Sequence, residues 1–122
     1  PNLKEAVLKA TDACTHAHGK KIGGGLIRQL KNKFSQEYLE RELAGASTEE
    51  LLKLWNSYPG NTTGFAVSRM YYAFVHGDMK EGVPAAGQGA SLVKEIISAR
   101  QVIENIVTDS LRIIERLNSL RF

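Results

Sequence analysis

The chain has 122 residues, of which 43% are hydrophobic and 24% are charged, and its formal net charge at pH 7 is +3. These values are typical of one folded domain and argue against a disordered tail or a two-domain enzyme. A domain of this size buries roughly two-thirds of its unfolded surface, which leaves little room for a deep cofactor cavity beside the core. We therefore do not expect this chain alone to carry out catalysis with a large cofactor.

Two further features bear on the cellular compartment. The longest apolar runs fall far short of the roughly 20 residues that cross a bilayer, and no apolar signal region opens the chain. Cys14 is the only cysteine, so an internal disulfide is impossible. The sequence therefore predicts a cytoplasmic protein without a membrane partner.

The first predicted element is a short amphipathic helix in NLKEAVLKATDA, where apolar residues recur at helical spacing. The next stretch, CTHAHGKKIGGGLIRQLKNKF, loses this period, and its three consecutive glycines make a regular helix costly. We predict a loop there, with a short extended piece at Leu26–Leu30.

Two motifs in this loop suggest sites. Cys14, His16 and His18 are of the types that serve as nucleophiles or metal ligands, but their spacing does not complete a ligand set, and a free cysteine is more often a packing residue. The glycines Gly23–Gly25 could bring backbone amides close to a phosphate. However, Lys21 stands where a P-loop requires serine or threonine. Neither motif is therefore assigned as a site.

The segment Ala13–Gln36 is basic, with five cations and no acid. Such a stretch attracts phosphates, nucleic acid or an acidic protein through its long-range field. No aromatic residue alternates with the cations before Phe34, as base stacking would require. A solvated surface is the favoured interpretation, and no nucleic-acid partner is predicted; the cations are Lys20, Lys21, Arg28, Lys31 and Lys33.

The middle of the chain predicts two helices with clear boundaries. The sequence SQEYLERELAG has Ser35 as a natural N-cap and Gly45 as a natural stop. In the next helix Ser47 and Glu50 match the S-x-x-E capping box, and turn residues close it at Tyr58–Asn61.

Three features describe the rest of the chain. The sequence GFAVSRMYYAFVHG predicts a helix whose apolar stripe belongs to the core. Helix is then expected to resume at Ala90–Ile97, and Ser98 with Gln101 forms a second capping box that opens the last helix. Apolar residues at alternating three- and four-residue steps predict that this last helix packs lengthwise on the other helices or on a partner. The predicted core stripe consists of Val67, Met70, Tyr71, Phe74 and Val75.

A polar corner, HGDMKEGVPAAGQG, lies between these helices. Gly77 and Gly82 permit a positive φ, Asp78 can accept hydrogen bonds from backbone amides, and Pro84 suits the first turn of a following helix. These roles account for most of the corner as a turn. They do not account for Gln88, whose amide between two glycines could orient a ligand or tie two segments together.

Four stretches carry a resemblance to a known family: PNLKEAVLKATDACT, RQLKN at Arg28–Asn32, VHGDMKEG and AAGQGASLVKE. In order and approximate spacing they resemble the C-terminal part of the FMN-dependent nitronate monooxygenase family. That family includes 2-nitropropane dioxygenase-like proteins and flavin-dependent bacterial enoyl-acyl-carrier-protein reductases. Its members are TIM-type (β/α)8 barrels with a helical C-terminal segment. The resemblance implies that residues 1–122 form a single, mainly α unit that follows and packs on such a barrel.

The resemblance also bears on the site residues. The family's catalytic histidine and phosphate-binding glycine loops belong to the barrel portion, so His76 is expected to cap or orient rather than to catalyse. Only Ala86, Gly87 and Gln88 are carried over, as residues near the mouth of the flavin and substrate pocket. The sequence departs from the family at Ala85 or Ala86, where the family often has methionine, and in its HAHGKKIGGG stretch. These departures indicate either a diverged subfamily or a chain separate from its barrel.

On this reading FMN is a cofactor of the parent protein and does not bind this chain alone. The chain would be the helical lid portion of an oxidoreductase acting on nitronates or enoyl thioesters, with FMN supplying the redox chemistry. The implied partners are the barrel portion of the same protein and an acyl carrier protein at the basic run Lys20–Lys33. The sequence leaves open whether the protein forms a homo-oligomer. The alternative is a free-standing helical interaction module without catalytic activity. A nucleic-acid binder, recognised by steep salt dependence, comes third.

Overall fold

The computed structural model describes residues 2–23, 25–58 and 69–120. Within them the class is mainly α, as predicted, with helices α1 (Asn2–Leu8), α2 (Lys33–Leu43), α3 (Thr48–Asn56) and α4 (Ala99–Ser119). Strands β1 (Thr15–His18) and β2 (Ile27–Leu30) form an antiparallel hairpin. Short 3-10 turns lie at Lys20–Ile22 and Gln88–Leu92, and a π-helical turn lies at Tyr72–His76. None of the described helices could span a membrane.

The hairpin corrects the predicted loop. The extended piece is confirmed as β2, but β1 was missed, because THAH has no hydrophobic alternation that would mark a four-residue strand. Pairing between the strands supplies what the local sequence lacks, with Thr15 opposite Leu30 and His18 opposite Ile27. The corner then runs along the free edge of β2, where the Leu30 amide donates to the Pro84 carbonyl at 3.1 Å.

The helix starts show which capping signals are local. Ser47 and Glu50 form the predicted reciprocal box at α3. At α2 the predicted N-cap is wrong: Asn32 is the N-cap, and Ser35 sits three residues later as its box partner. The side-chain amide of Asn32 also donates a hydrogen bond to the Gly82 carbonyl at 2.8 Å. This tertiary contact favours Asn32 and not Ser35 as the N-cap of α2.

At α4 the predicted box is half formed. The Ser98 hydroxyl accepts a hydrogen bond from the backbone amide of Gln101. However, the side-chain amide of Gln101 donates to Asn105 and not to the Ser98 backbone. The helix predicted at Ala90–Ile97 is also wrong: the 3-10 turn ends at Leu92, and residues 93–98 are not helical. A short helix in water depends on packing of an apolar face, and residues 92–96 are exposed.

The core is an aromatic cluster between the hairpin, α2 and α3. Its most buried apolar members are Phe34, Tyr38, Leu51, Trp55 and Val83, each at most 1% exposed. The Phe34 and Trp55 rings meet edge to face with centroids 5.5 Å apart, as do those of Tyr38 and Trp55 at 5.7 Å. Edge-to-face pairs of this kind add to the stability gained from burying the rings.

Arg69 penetrates this core and is 1% exposed. Its guanidinium lies 3.8 Å from the centre of the Phe34 ring and donates to the carbonyls of Leu54 and Trp55 at 2.9 and 2.7 Å. A third donor reaches the Glu81 carbonyl. The arginine therefore joins the last turn of α3 to the polar corner.

The stripe predicted for the core is wrong in most of its described part. Met70 packs against the core, but Tyr71, Phe74 and Val75 are between 49% and 59% exposed. The π-helical turn changes the rotation per residue and breaks the 3.6-residue period on which the prediction rested. Val67 and the predicted turn residues 59–61 lie outside the described residues.

The structure confirms some of the roles predicted for residues of the polar corner and contradicts others. Asp78 accepts from the amides of Lys80 and Glu81, both at 2.9 Å, as predicted. Gly77 adopts the predicted positive φ of 71°. Gly82 does not, and Pro84 is buried outside any helix, so those two predictions are wrong.

Gly82 has a different requirement. A Cβ built there would lie 2.4 Å from the Asp78 carbonyl oxygen and 3.0 Å from the Ala73 Cβ. Close approach of backbone to backbone, and not left-handed geometry, therefore requires glycine at this position.

Helix α4 has an apolar face that no described residue covers. None of its residues is buried, which rules out packing on the other described helices as the explanation of its pattern. Its large aliphatic side chains are between 42% and 64% exposed; they are Val102, Ile103, Ile106, Val107, Leu111, Ile113, Ile114 and Leu117.

Candidate functional site

The three residues carried over from the family resemblance lie at the edge of the hairpin. The Ala86 amide donates to the Arg28 carbonyl at 3.2 Å, and Ala85 forms a bridge with Gln29. Gly87 is exposed, and a Cβ at that position would meet nothing within 4 Å. The edge of β2 therefore fixes the backbone of this segment and leaves its surface open.

Gln88 faces a cleft of about 440 Å³ with residues from the hairpin and the loop before it. Its side chain is exposed and makes no hydrogen bond to any described residue. The other lining residues are Asp12, Ala13, Cys14, Thr15 and Arg28. The structure thus brings Gln88 and Cys14 together, whereas the sequence presented them as separate motifs.

Among the residues that the structure describes, Arg28 is the one cation in the wall of this cleft. Its guanidinium donates to the Thr15 hydroxyl at 3.2 Å, and none of the ion pairs among the described residues includes it. A guanidinium carries five donors, so one neutral acceptor leaves most of them free. The sequence had listed Arg28 only as a member of the basic stretch, because nothing local separates it from the neighbouring lysines.

Backbone strain marks the turn that precedes β1 in the same wall. Ala13 has a φ of 56°, the left-handed region that alanine rarely adopts, and its amide donates to the Asp12 carboxylate at 3.0 Å. Such a residue costs on the order of 1 kcal/mol and persists where the surroundings hold it. The Lys31 amide donates to the Cys14 carbonyl at 2.9 Å, which fixes the end of this turn against β2.

The histidines of β1 form a second, buried group. The His18 Nε2 lies 3.2 Å from the Gln29 Oε1, and the His18 and Tyr38 ring centroids are 4.9 Å apart. In the described part of the chain, three buried side-chain polar atoms have no hydrogen-bond partner: His16 Nε2, His18 Nδ1 and the Tyr38 hydroxyl. No group of three or more metal-binding side chains occurs in the described ranges, so Cys14, His16 and His18 do not come together as a ligand set.

Burial controls the ionisation of this group. Desolvation is the main cause that lowers the pKa of His18, against a hydrogen bond to Gln29 and the charge of Glu42, which raise it. Desolvation also lowers the pKa of His16, followed by the positive charges of His18 and of nearby basic residues. Burial raises the pKa of Tyr38 to about 12. The folded state therefore favours neutral side chains throughout this group.

We expect the stability of the protein to fall in mild acid. The pKa of His18 in the folded protein lies below its ordinary value of 6.5, so the unfolded chain takes up the proton first as the pH falls. The stability that the neutral His18 contributes is fully present above pH 6.5 and is lost as the pH falls from there through the lower pKa of the folded protein. The free energy of unfolding, measured by urea denaturation, should be lower at about pH 5.5 than at about pH 7.5.

The variant His18→Gln should show a clearly smaller pH dependence than the parent protein. His76 offers the matched control, because its ring is exposed and stacks on Tyr72 with centroids 5.0 Å apart. The variant His76→Gln should keep the full pH dependence. An equal reduction in both variants would contradict the assignment to the buried histidine.

The chain is similar in structure to FabK from Thermotoga maritima. The match has a TM-score of 0.77 and 27% sequence identity, and it covers 97% of this chain but 33% of that one. A FabK mutant from the same organism matches with a TM-score of 0.65 and 26% identity, covering 97% and 31% of the two chains. The chain therefore spans about a third of the length of these proteins. No protein-family model and no curated protein matches it.

Proposed function

We propose that the chain is the helix-rich C-terminal portion of an FMN-dependent oxidoreductase that acts on enoyl thioesters. The observation that carries this proposal is the similarity to FabK over 97% of the chain. FabK is a flavin-dependent enoyl-acyl-carrier-protein reductase, one of the two activities that the sequence motifs suggested. Motif order and three-dimensional structure thus favour the same class of enzyme.

The segment Ala86–Gln88 would form part of the wall of the flavin and substrate pocket. FMN, when bound to the whole protein, would supply the redox chemistry of the reaction. The cleft fits a contribution to such a ligand, because Gln88 and Arg28 both line it and Arg28 belongs to no ion pair among the described residues. Gln88 would orient a polar edge of the ligand, and Gly87 would allow close approach.

The uncovered face of α4 supports the proposed barrel partner. An amphipathic helix of 21 residues with no buried side chain gains little from its apolar residues unless another surface covers them. Two-thirds of FabK lies outside the matched part, which is enough chain to supply that surface. We therefore propose that α4 lies against the barrel portion of the whole protein.

A chimaera tests the proposal. This chain would replace the structurally matched third of Thermotoga maritima FabK, and FabK truncated by that third would be the control. We expect the chimaera to retain an oxidised-flavin band at roughly 450 nm, and an enoyl thioester to reoxidise its reduced flavin. The truncated control should do neither. A chimaera that folds but behaves like the truncated control would overturn the proposal.

The same chimaera separates the two substrate classes and tests Gln88. Reduction of the oxidised flavin by a nitronate, with no reoxidation of the reduced flavin by an enoyl thioester, would replace the proposed substrate class. Gln88→Ala should lower kcat or raise KM without changing the thermal unfolding temperature, because the side chain is exposed and makes no described hydrogen bond. Unchanged kinetics in this variant would remove Gln88 from the pocket.

A further inference from the structure

A continuous chain of side-chain hydrogen bonds runs from the buried histidine of β1 to the polar corner. His18 Nε2 lies 3.2 Å from Gln29 Oε1, and Gln29 Nε2 donates to Asn32 Oδ1 at 3.1 Å. The side-chain amide of Asn32 then donates to the Gly82 carbonyl at 2.8 Å. His18 and Gln29 are fully buried, so their bonds lie in a low-dielectric interior, where hydrogen bonds are stronger than in water.

Two backbone groups fix the direction of every bond in this chain. The Ser35 backbone amide can only donate and the Gly82 carbonyl can only accept, so Asn32 turns Oδ1 toward the first and Nδ2 toward the second. The same Oδ1 faces Gln29, which must therefore present its Nε2 there. The Oε1 of Gln29 is left for His18, and this acceptor requires the proton of neutral His18 to lie on Nε2.

We propose that Asn32 is a positioning residue for the segment Ala86–Gln88 and acts through its hydrogen bond to the Gly82 carbonyl. Gln29 and His18 hold the Asn32 side chain in the orientation that this bond requires. The inference rests on the proposed function only for the role of the segment in the pocket, since the contacts themselves belong to the described chain.

The backbone between Gly82 and Ala86 has little freedom to absorb a displacement. Val83 and Pro84 are fully buried, and the proline ring fixes its own φ. The Pro84 carbonyl accepts a hydrogen bond from β2 at 3.1 Å, and the Ala86 amide donates one to β2 at 3.2 Å. A displacement at Gly82 therefore reaches these two bonds and the residues that follow Ala86.

Substitution separates this role of Asn32 from its role as the N-cap of α2. Its Oδ1 caps the helix, whereas its Nδ2 reaches Gly82. Asparagine, aspartate and serine are about equally good N-caps, so Asn32→Ser and Asn32→Asp both keep the cap. Both variants remove the donor to Gly82. In Asn32→Asp a carboxylate oxygen also faces the carbonyl oxygen, and two acceptors repel each other.

Amide hydrogen exchange of the 122-residue chain, followed by NMR, measures how firmly the corner is attached to β2. The reporters are the backbone amides of Leu30 and Ala86, which form the hydrogen bonds across that edge. We expect Asn32→Ser to accelerate their exchange about two- to tenfold, as the loss of one hydrogen bond would, and Asn32→Asp to accelerate it further. Unchanged exchange in both variants would overturn the proposal and leave Asn32 as an N-cap alone.

The amides of α3 serve as the internal reference, because a general loss of stability would accelerate their exchange as well. Equal acceleration in α3 and at the two reporter amides would overturn a specific effect on the corner.

Asn2→Ser is the matched control variant. Asn2 also donates its side-chain amide to a carbonyl of the corner, that of Gly77 at 3.0 Å, but from an exposed position. This variant should leave the exchange of the two reporter amides unchanged. If it accelerated them as much as Asn32→Ser does, any bond to the corner would have the same effect, and the assignment to Asn32 would be wrong.

The ring of His18 supplies a spectroscopic signature of the bond direction. The NMR shifts of the two ring nitrogens distinguish a protonated nitrogen from an unprotonated one, and at neutral pH the proton should lie on Nε2. A proton on Nδ1 would contradict the direction of the chain and with it the orientation of Asn32.

The chimaera connects the chain of hydrogen bonds to the pocket. Asn32→Ser should lower kcat/KM, and the loss should be much smaller in a Gln88→Ala background, because Asn32 acts through the segment that carries Gln88. Equal losses in both backgrounds would overturn action through this segment. Hydrogen exchange in the 122-residue chain does not depend on flavin, so a chimaera without flavin reoxidation would remove the proposed function and leave the positioning result standing.

Discussion

Replacing Arg69 by methionine is expected to lower the free energy of unfolding by about 3–5 kcal/mol. Methionine keeps the apolar stem but removes every donor, so the carbonyls of Leu54, Trp55 and Glu81 lose this partner inside the protein. A hydrogen bond to a charged group contributes roughly 1.5–3 kcal/mol, and the contact with the Phe34 ring is lost as well.

The position of Arg69 adds a second reason. Its guanidinium lies at the last turn of α3, where the partial negative charge of the helix C-terminus favours a cation. Burial is the main cause that lowers the pKa of Arg69, against nearby acids and Tyr58, which raise it. The cost of burying the charge is thus offset by carbonyls and aromatic rings rather than by a salt bridge.

Urea unfolding followed by Trp55 fluorescence would measure this loss. Trp55 is the only tryptophan and is fully buried in the cluster that Arg69 contacts, so its emission reports on the unfolding of this region. The matched control is Arg41→Met on the surface of α2, which breaks an exposed pair with Glu37 and should cost at most about 1 kcal/mol. A similar loss in both variants would show that Arg69 does not hold the corner to the core.

The substitution Gly82→Ala is expected to destabilise the protein by about 1–3 kcal/mol. The added methyl group would meet the Asp78 carbonyl oxygen at 2.4 Å, and that atom belongs to the backbone and cannot rotate away. Relief requires the corner to move, which would disturb the hydrogen bond from Asn32 to the Gly82 carbonyl at the start of α2. The effect should therefore spread from the corner to the helix.

Gly87→Ala is the control for this prediction, because its Cβ would enter open space and its φ of −76° suits any residue. It should change the midpoint of thermal unfolding little or slightly raise it, by restricting the unfolded chain. If Gly87→Ala destabilised the protein as much as Gly82→Ala, backbone crowding at Gly82 could not be the cause.

The elements that the sequence predicted well are those specified by neighbouring residues. The capping box of Ser47 and Glu50 closes over three residues, so no distant contact is needed to set the start of α3. The start of α2 is different, because Asn32 and Ser35 are both acceptable caps. Asn32 becomes the N-cap in a structure where its amide also reaches Gly82, 50 residues away in sequence.

In the candidate site, too, the sequence indicated one residue, Gln88, and only the fold indicated the other, Arg28. The sequence singled out Gln88 because an amide between two glycines has no structural explanation in the corner itself, and no described residue forms a hydrogen bond with that side chain. Arg28 could not be singled out, because five cations share its stretch and only the fold shows which of them lines the cleft. The cleft exists because segments distant in sequence meet at the edge of β2.

By itself the sequence determined the mainly α class, the position of the polar corner and the periodic apolar face of the last helix, since capping residues and helical spacing act over a few residues. The tertiary structure decided the pairing of β1 with β2, the burial of Arg69 and the exposure of Tyr71, Phe74 and Val75. Each of these depends on which surfaces meet, and a linear pattern cannot specify a contact between residues far apart in the chain.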